Sequence, residues 1–262
     1  MIWNKLLRKA ALLRGTAKLN LQNGARQLRF VVKTDLEYEK ISSGDGEKQL
    51  IRLFLGSLRP DDVVYDIGAN IGLFTLPIAQ RLNGGGRVIS FEPISIWARR
   101  LRENVSLNGL GNVTVIESGL SSDTRTVPIH FKDVIGSGMA TIMQPTIKSG
   151  EDYEMHTQQI SLAKGDDLIV EKNLPTPTAI KIDVEGAEYE ALSGLKNTLT
   201  KTCCRIILCE VHPLYLNVPA EKFHELLRGF GYTIEKVSER KSEYHLLAIR
   251  NAESIGVPVQ IS

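Results

Sequence analysis

From about residue 60 to residue 250 the apolar positions switch between a period of two and a period near 3.6, which predicts strands alternating with helices. Val63-Val64-Tyr65-Asp66-Ile67 is a short β-branched run closed by a glycine turn. Leu73, Phe74, Leu76, Ile78, Ala79 and Leu82 then mark a helix over 73–82, stopped by Gly84-Gly85-Gly86. Further strands are predicted at Arg87–Glu92, Asn112–Glu117, Ala179–Val184, Arg205–Val211, Tyr232–Val237 and Tyr244–Arg250. Between the second and third, Ile94, Trp97, Leu101 and Val105 share one helix face, with Arg99, Arg100 and Arg102 around the other side, where solvation is expected. Near-continuous apolar strands separated by helices imply a mostly parallel sheet covered on both faces. Only Ser238–Ser242 separates the last two strands, too little for a parallel crossover, so these two are expected to pair antiparallel.

Two stretches break the regular pattern. Residues 1–59 read as a helical and irregular extension preceding an α/β domain over 60–262. The extension opens with Ile2, Trp3, Leu6, Leu7 and Ala10 at helical spacing among Lys5, Arg8, Lys9 and Arg14. This helix is expected to pack on its own domain or a partner, with attachment to an acidic membrane surface as the alternative. A short strand at Leu28–Val32 and a helix at Gln49–Leu58 follow. The second break, Lys132–Gln159, is polar, contains Gly136-Ser137-Gly138 and Pro145, and carries Met139, Met143 and Met155. A loop of that length is expected to act as a substrate lid.

Composition narrows the partners little. The 262 residues carry a formal net charge of +2 from 32 basic and 30 acidic side chains, too even a balance for a dedicated nucleic-acid binder, and no DNA partner is expected. No apolar run reaches the roughly 18 to 20 residues of a membrane span, and no secretory leader pattern is present, so a cytoplasmic protein is expected. Cys203, Cys204 and Cys209 lack C-x-x-C spacing and read as buried free thiols.

The chemistry-bearing residues fall at strand ends. In an open α/β sheet, ligands bind outside the carboxyl ends of the strands where the connection order reverses. The first such end is Asp66-Ile67-Gly68-Ala69-Asn70-Ile71-Gly72, in which Gly68 and Gly72 permit a tight turn and the next helix offers free N–H groups. Asn70 stands where a dinucleotide-binding turn needs its second glycine, so a group smaller than pyrophosphate is expected. Glu92 ends the second strand twenty positions beyond Gly72, close to the spacing of about 20 at which a carboxylate grips a ribose diol. Ile180-Lys181-Ile182-Asp183-Val184-Glu185-Gly186-Ala187-Glu188 ends the fourth strand, and Glu210-Val211-His212-Pro213 ends the fifth. Alternation sends Lys181, Asp183 and Glu185 to one side, while Glu188 and Glu190 are expected on an exposed helix face.

Taken in order, D-I-G-A-N-I-G, F-E-P, N-V-T-V, I-K-I-D-V-E-G-A-E and E-V-H-P resemble the FkbM-type methyltransferase family over roughly residues 44 to 250. The long fourth-strand string is the most specific element. The resemblance implies a class I, Rossmann-like methyltransferase fold and S-adenosylmethionine as cofactor. It implies cofactor contacts at Asp66, Gly68, Asn70, Gly72, Glu92 and Asp183, with Asp183 and Glu185 at the reaction edge. One departure is Lys164-Gly165-Asp166-Asp167-Leu168, where Gly165 replaces an apolar residue usual in the family.

Methyl transfer to an alcohol needs alignment and removal of a poorly acidic proton, for which His212 or Asp183 is the candidate base, beside Glu185. Asp183, Glu185, Glu210 and His212 could alternatively hold a divalent cation, although no residue is assigned as a metal ligand. The implied acceptor is a small molecule or glycan: a hydroxyl of a sugar, glycolipid or secondary metabolite. An RNA or protein acceptor is the second reading. Against base methylation, Asp183-Val184-Glu185-Gly186 stands where many such enzymes carry an Asn/Asp-Pro-Pro-aromatic tetrad. A non-catalytic cofactor-binding module is the third.

Overall fold

The computed structural model describes residues 2–21, 27–43, 47–132, 140–141, 155–201, 203–240 and 242–250. The first part of the chain forms α1 (Ile2–Arg14), β1 (Thr16–Leu19), β2 (Leu28–Val31), α2 (Asp35–Ser43) and α3 (Lys48–Ser57). Then come β3 (Val63–Ile67), α4 (Thr75–Arg81), β4 (Arg87–Phe91), α5 (Ser95–Asn108) and β5 (Val113–Ile116). The middle holds β6 (Gly119–Ser121), β7 (Arg125–Lys132), β8 (Ala140–Thr141), β9 (Met155–Lys164) and α6 (Gly165–Glu171). The last part comprises β10 (Ala179–Ile182), α7 (Glu188–Ser193), α8 (Lys196–Leu199), β11 (Ile206–Val211), α9 (Ala220–Gly229), β12 (Thr233–Glu239) and β13 (Tyr244–Ile249).

The central sheet has the order β12-β13-β11-β10-β3-β4-β5. Its strands from β11 to β5 are parallel, and β13 runs antiparallel to both β11 and β12, as the short 238–242 connection requires. From β3 the chain steps outward through β4 and β5, then returns to place β10 on the other side of β3. The order reverses there, so the ends of β3 and β10 flank the cleft. Apolar clusters built around Ile180, Ile182 and Ile207 on one face, and Val64, Val88 and Leu208 on the other, bury both sides of the sheet.

A second sheet, β6-β9-β7-β8, takes in both ends and a short middle piece of the stretch that the pattern predicted as one long loop. Lys132 ends β7 and Met155 to Gln159 begin β9, so these positions, expected in the loop, are strand. Val127, Ile129 and Phe131 alternate with polar or small neighbours, as do Ile160 and Leu162, and the inward set packs against Ile94 and Trp97. Segments 133–139 and 142–154, and with them the lid reading and Met139 and Met143, lie outside the described residues.

The N-terminal elements pack on the helix after β4. Asn104 and Asn108 accept hydrogen bonds from the backbone N–H groups of Val31 (2.8 Å) and Arg29 (2.9 Å), fastening β2 to α5. Arg100, expected in solvent, is instead buried, donating to the Val31 carbonyl (3.1 Å) and pairing with the equally buried Glu37 (3.3 Å). A helix face that looks solvated in isolation is covered because β1, β2 and α2 fold back over it. In α1, Arg8 pairs with Asp35 and Glu39, each at 3.2 Å, and Leu12 packs inward while Leu6, Leu7 and Leu13 stay exposed. The side chains of Ile2, Trp3 and Lys5 lie outside the described residues. Among the described residues no helix is long and apolar enough to cross a membrane. Cys204 and Cys209 are buried, whereas Cys203, expected inside, is exposed at the turn leading to β11.

Gly165 is explained by α6 packing: a Cβ there would lie 2.5 Å from Leu195 Cδ2. Next to it, Asp166 accepts from the N–H groups of Asn197 (2.7 Å) and Thr198 (3.0 Å), capping α8 from outside. Such a cap contributes about 1 kcal/mol.

Candidate active site

The turn after β3 owes its shape to close approach. Gly68 has φ +78°, and a Cβ on it would lie 1.8 Å from the Asp183 carbonyl oxygen, so only glycine lets β3 and β10 end side by side. Gly72, at φ +97°, serves packing: a Cβ would meet Leu101 and Leu76 at 2.6 Å. Asn70 is also left-handed (φ 50°), and its side-chain oxygen accepts the Ile71 N–H at 2.8 Å. Asp66 is wholly buried behind the turn, where it accepts from the Thr75 hydroxyl at 2.5 Å and faces the Lys181 ammonium at 3.5 Å.

Two cavities open from this turn. The larger, about 280 Å³, is walled by Phe91, Ile94, Trp97, Leu120, Ile129 and Leu162 and contains Glu92. Each Glu92 oxygen accepts one backbone N–H, from Asn70 (2.8 Å) and Ile94 (2.9 Å), which leaves a lone pair on each for a diol. Burial pushes the Glu92 carboxyl up to about 7 despite those two bonds. The smaller cavity, about 190 Å³, is lined by charge: Lys181, Glu210, His212, Arg240, Glu243 and Glu47. Gly68, Asn70, Asp183 and Glu185 line both cavities and form the saddle between them.

Lys181 organises that saddle from below. Its ammonium donates to the Gly68 carbonyl (3.2 Å), pairs with Asp183 (3.5 Å) and sits over the Phe74 ring at 5.0 Å from the centroid. Burial pulls the Lys181 pKa down, but Asp183 and Asp66 outweigh it and the net direction is upward. Glu185 takes φ 51° ahead of Gly186, and burial with the neighbouring Asp183 charge pushes its carboxyl up to about 8. His212, almost fully buried, places Nε2 at 3.5 Å from Glu185 and 3.6 Å from Glu210. Burial lowers its pKa, yet the Glu188 hydrogen bond and the Glu185 charge carry it up to about 9. Glu188, expected on an exposed face, is completely buried because α7 begins beneath the end of β11.

Of the residues singled out in the sequence, Gly68, Asn70, Glu92, Asp183, Glu185 and His212 line the cavities, while Asp66 and Gly72 support the turn from behind. Residues outside those motifs complete the walls. Glu47 comes from the turn before α3, and Arg240 and Glu243 from the β12–β13 turn, with Arg240 donating to Glu47 (2.7 Å) and Glu243 (2.9 Å). Nothing in one-dimensional spacing links positions so far apart. The alternation in β7 and β9 could have revealed Ile129 and Leu162. Donor atoms of Asp183, Glu185 and His212 lie within 4.8 Å of one another, as do those of Glu210, His212 and Glu243, so a divalent cation could be held there.

Residues 66–234 match the methyltransferase FkbM domain. Over 184 residues the chain is 32% identical to the hexuronic acid methyltransferase AglP of Haloferax volcanii, covering 70% of each chain. Over 219 residues it is 28% identical to the 31-O-demethyl-FK506 methyltransferase FkbM of Streptomyces tacrolimicus, covering 74% of this chain and 82% of that one. Among solved structures it aligns with the precorrin-6y C5,15-methyltransferase of Geobacter metallireducens at a TM-score of 0.49 and 17% identity, covering 78% of this chain and 88% of that one.

Proposed function

The chain belongs to the FkbM family of S-adenosylmethionine-dependent methyltransferases, and we propose that it methylates a hydroxyl of a sugar, glycolipid or secondary metabolite. The observation that carries this reading is the saddle, where an apolar cavity and a carboxylate-rich cavity share Gly68, Asn70, Asp183 and Glu185. The larger cavity would hold the adenosine, with Ile94, Trp97 and Leu120 available to the base and Glu92 able to accept from both ribose hydroxyls. The Gly68 to Gly72 turn would receive the methionine end, Asp183 would accept from its ammonium, and Asp66 supports the site through Lys181. The residues of the saddle would then flank the methyl donor, which supplies the methyl group when bound, and the smaller cavity would admit the acceptor.

Carboxylates and one imidazole suit an alcohol acceptor, because they accept hydrogen bonds from hydroxyls and remove a proton as the methyl transfers. A sugar or metabolite acceptor also fits the names of the relatives, AglP acting on a hexuronic acid and FkbM on 31-O-demethyl-FK506. Incubation with methyl-labelled S-adenosylmethionine and a panel of free sugars, uronic acids, glycolipids and polyhydroxylated metabolites tests this. Label in a hydroxyl-bearing small molecule is expected. Label confined to RNA or protein would overturn the reading, and full activity after exhaustive chelation would remove any role for a divalent cation.

A further inference from the structure

His212 is anchored from the side opposite the cavity. Its Nδ1 lies 2.9 Å from Glu188 Oε1, and that same oxygen accepts the Gly186 N–H at 3.0 Å. A carboxylate oxygen has no hydrogen to donate, so in this bond Nδ1 is the donor and carries the hydrogen. In the neutral ring the lone pair is therefore on Nε2, the atom beside Glu185 and Glu210 at 3.5 and 3.6 Å. Glu188 is fully buried, lines neither cavity, and leaves Oε2 without a hydrogen-bond partner. A buried carboxylate with so little structural employment is costly unless its bond to the imidazole matters.

We propose that Glu188 is the positioning residue of the reaction, holding His212 so that Nε2 receives the acceptor's hydroxyl proton. The step builds on the alcohol-acceptor reading. As the acceptor O–H bond breaks, its proton goes to Nε2 and an oxygen electron pair forms the new O–CH₃ bond. The C–S bond breaks with its electrons passing to sulfur, and neutral S-adenosylhomocysteine leaves. His212 is the catalytic residue, while Glu188 touches neither substrate nor cofactor and acts only through the ring's tautomer and orientation.

The tests separate this proposal from the acceptor reading. In the wild-type protein titrated above about pH 9, where the His212 ring becomes neutral, its ¹⁵N resonances should show the hydrogen on Nδ1; a hydrogen on Nε2 overturns the proposal whatever the acceptor proves to be. Glu188→Gln keeps the shape and one acceptor oxygen but removes the charge. It is expected to lower kcat about 100-fold while the Kd for S-adenosylmethionine stays within about twofold. Glu188→Asp should recover part of the rate. Wild-type kcat in Glu188→Gln, or an unchanged kcat with only weakened cofactor binding, would overturn the positioning role. If no hydroxyl is methylated at all, the acceptor reading fails while the ring tautomer still decides the Glu188 contact.

Discussion

Gly68 carries two demands at one residue: a left-handed backbone and the absence of a Cβ opposite the Asp183 carbonyl. Relief would require β3 and β10 to part, which would also pull the Gly68 carbonyl from Lys181 and displace Asp183 from the saddle. Gly68→Ala is therefore expected to cost about 1–3 kcal/mol from backbone strain alone, with the clash adding to it. Denaturant unfolding measures the first effect, and calorimetric titration with S-adenosylmethionine should show binding lost or weakened by more than tenfold (about 1.4 kcal/mol). A variant with wild-type affinity would mean that the close approach is dispensable. The other residues of the turn are less uniform than their motif implies, since Asn70 and Gly68 face the cavities whereas Asp66 and Gly72 hold the turn from behind.

Among the elements, the β12–β13 hairpin matters beyond completing the sheet. Its turn reaches over the smaller cavity, and Arg240 joins it to Glu47, which precedes α3 in the N-terminal part of the chain. The smaller cavity is thus roofed by segments far apart in sequence, while the larger one is built from β3, β4 and the second sheet. Arg240→Met should loosen that roof without touching the adenosine wall. The expected outcome is a KM for the acceptor raised about tenfold with the Kd for S-adenosylmethionine unchanged. Steady-state kinetics beside a binding titration check it, and a parallel loss of cofactor affinity would contradict the division of labour.

Across the whole molecule, the concentration of buried ionisable groups is expected to make stability fall toward alkaline pH. Glu92 and Glu185 have folded pKa values pushed up to about 7 and about 8 from 4.5, so the folded protein holds protons that the unfolded chain releases. Their ionisation weakens the fold as pH rises toward those values. His212 acts in the same direction: its partners stabilise the fold fully below 6.5, and that contribution is lost as pH climbs to about 9. Between 6.5 and about 8 the His212 and Glu185 contributions fall together. A pH series of thermal unfolding should show Tm declining through that window, with a shallower decline in His212→Gln. A Tm that is level or rises across it would show that the cluster does not govern alkaline stability.

The chain's periodicity was enough to establish the parallel strands, their alternation with helices and the antiparallel C-terminal pair, because side-chain burial repeats with the geometry of each element. Strand-end motifs likewise marked several residues that line the cleft, among them Gly68, Glu92, Asp183 and His212, since a parallel sheet gathers its strand ends at one edge. Three things depended on tertiary contact. Arg100 and Glu188, polar residues on helices, lie buried because other parts of the chain cover or meet them, which no local pattern encodes. The second sheet emerged from two alternating segments separated by a polar stretch, whose pairing only the folded chain supplies. Finally, the smaller cavity joins Glu47, Asp183, His212 and Arg240, and the His212 ring is hydrogen-bonded by Glu188 behind it. Sequence could nominate the imidazole, but its orientation is a property of packing.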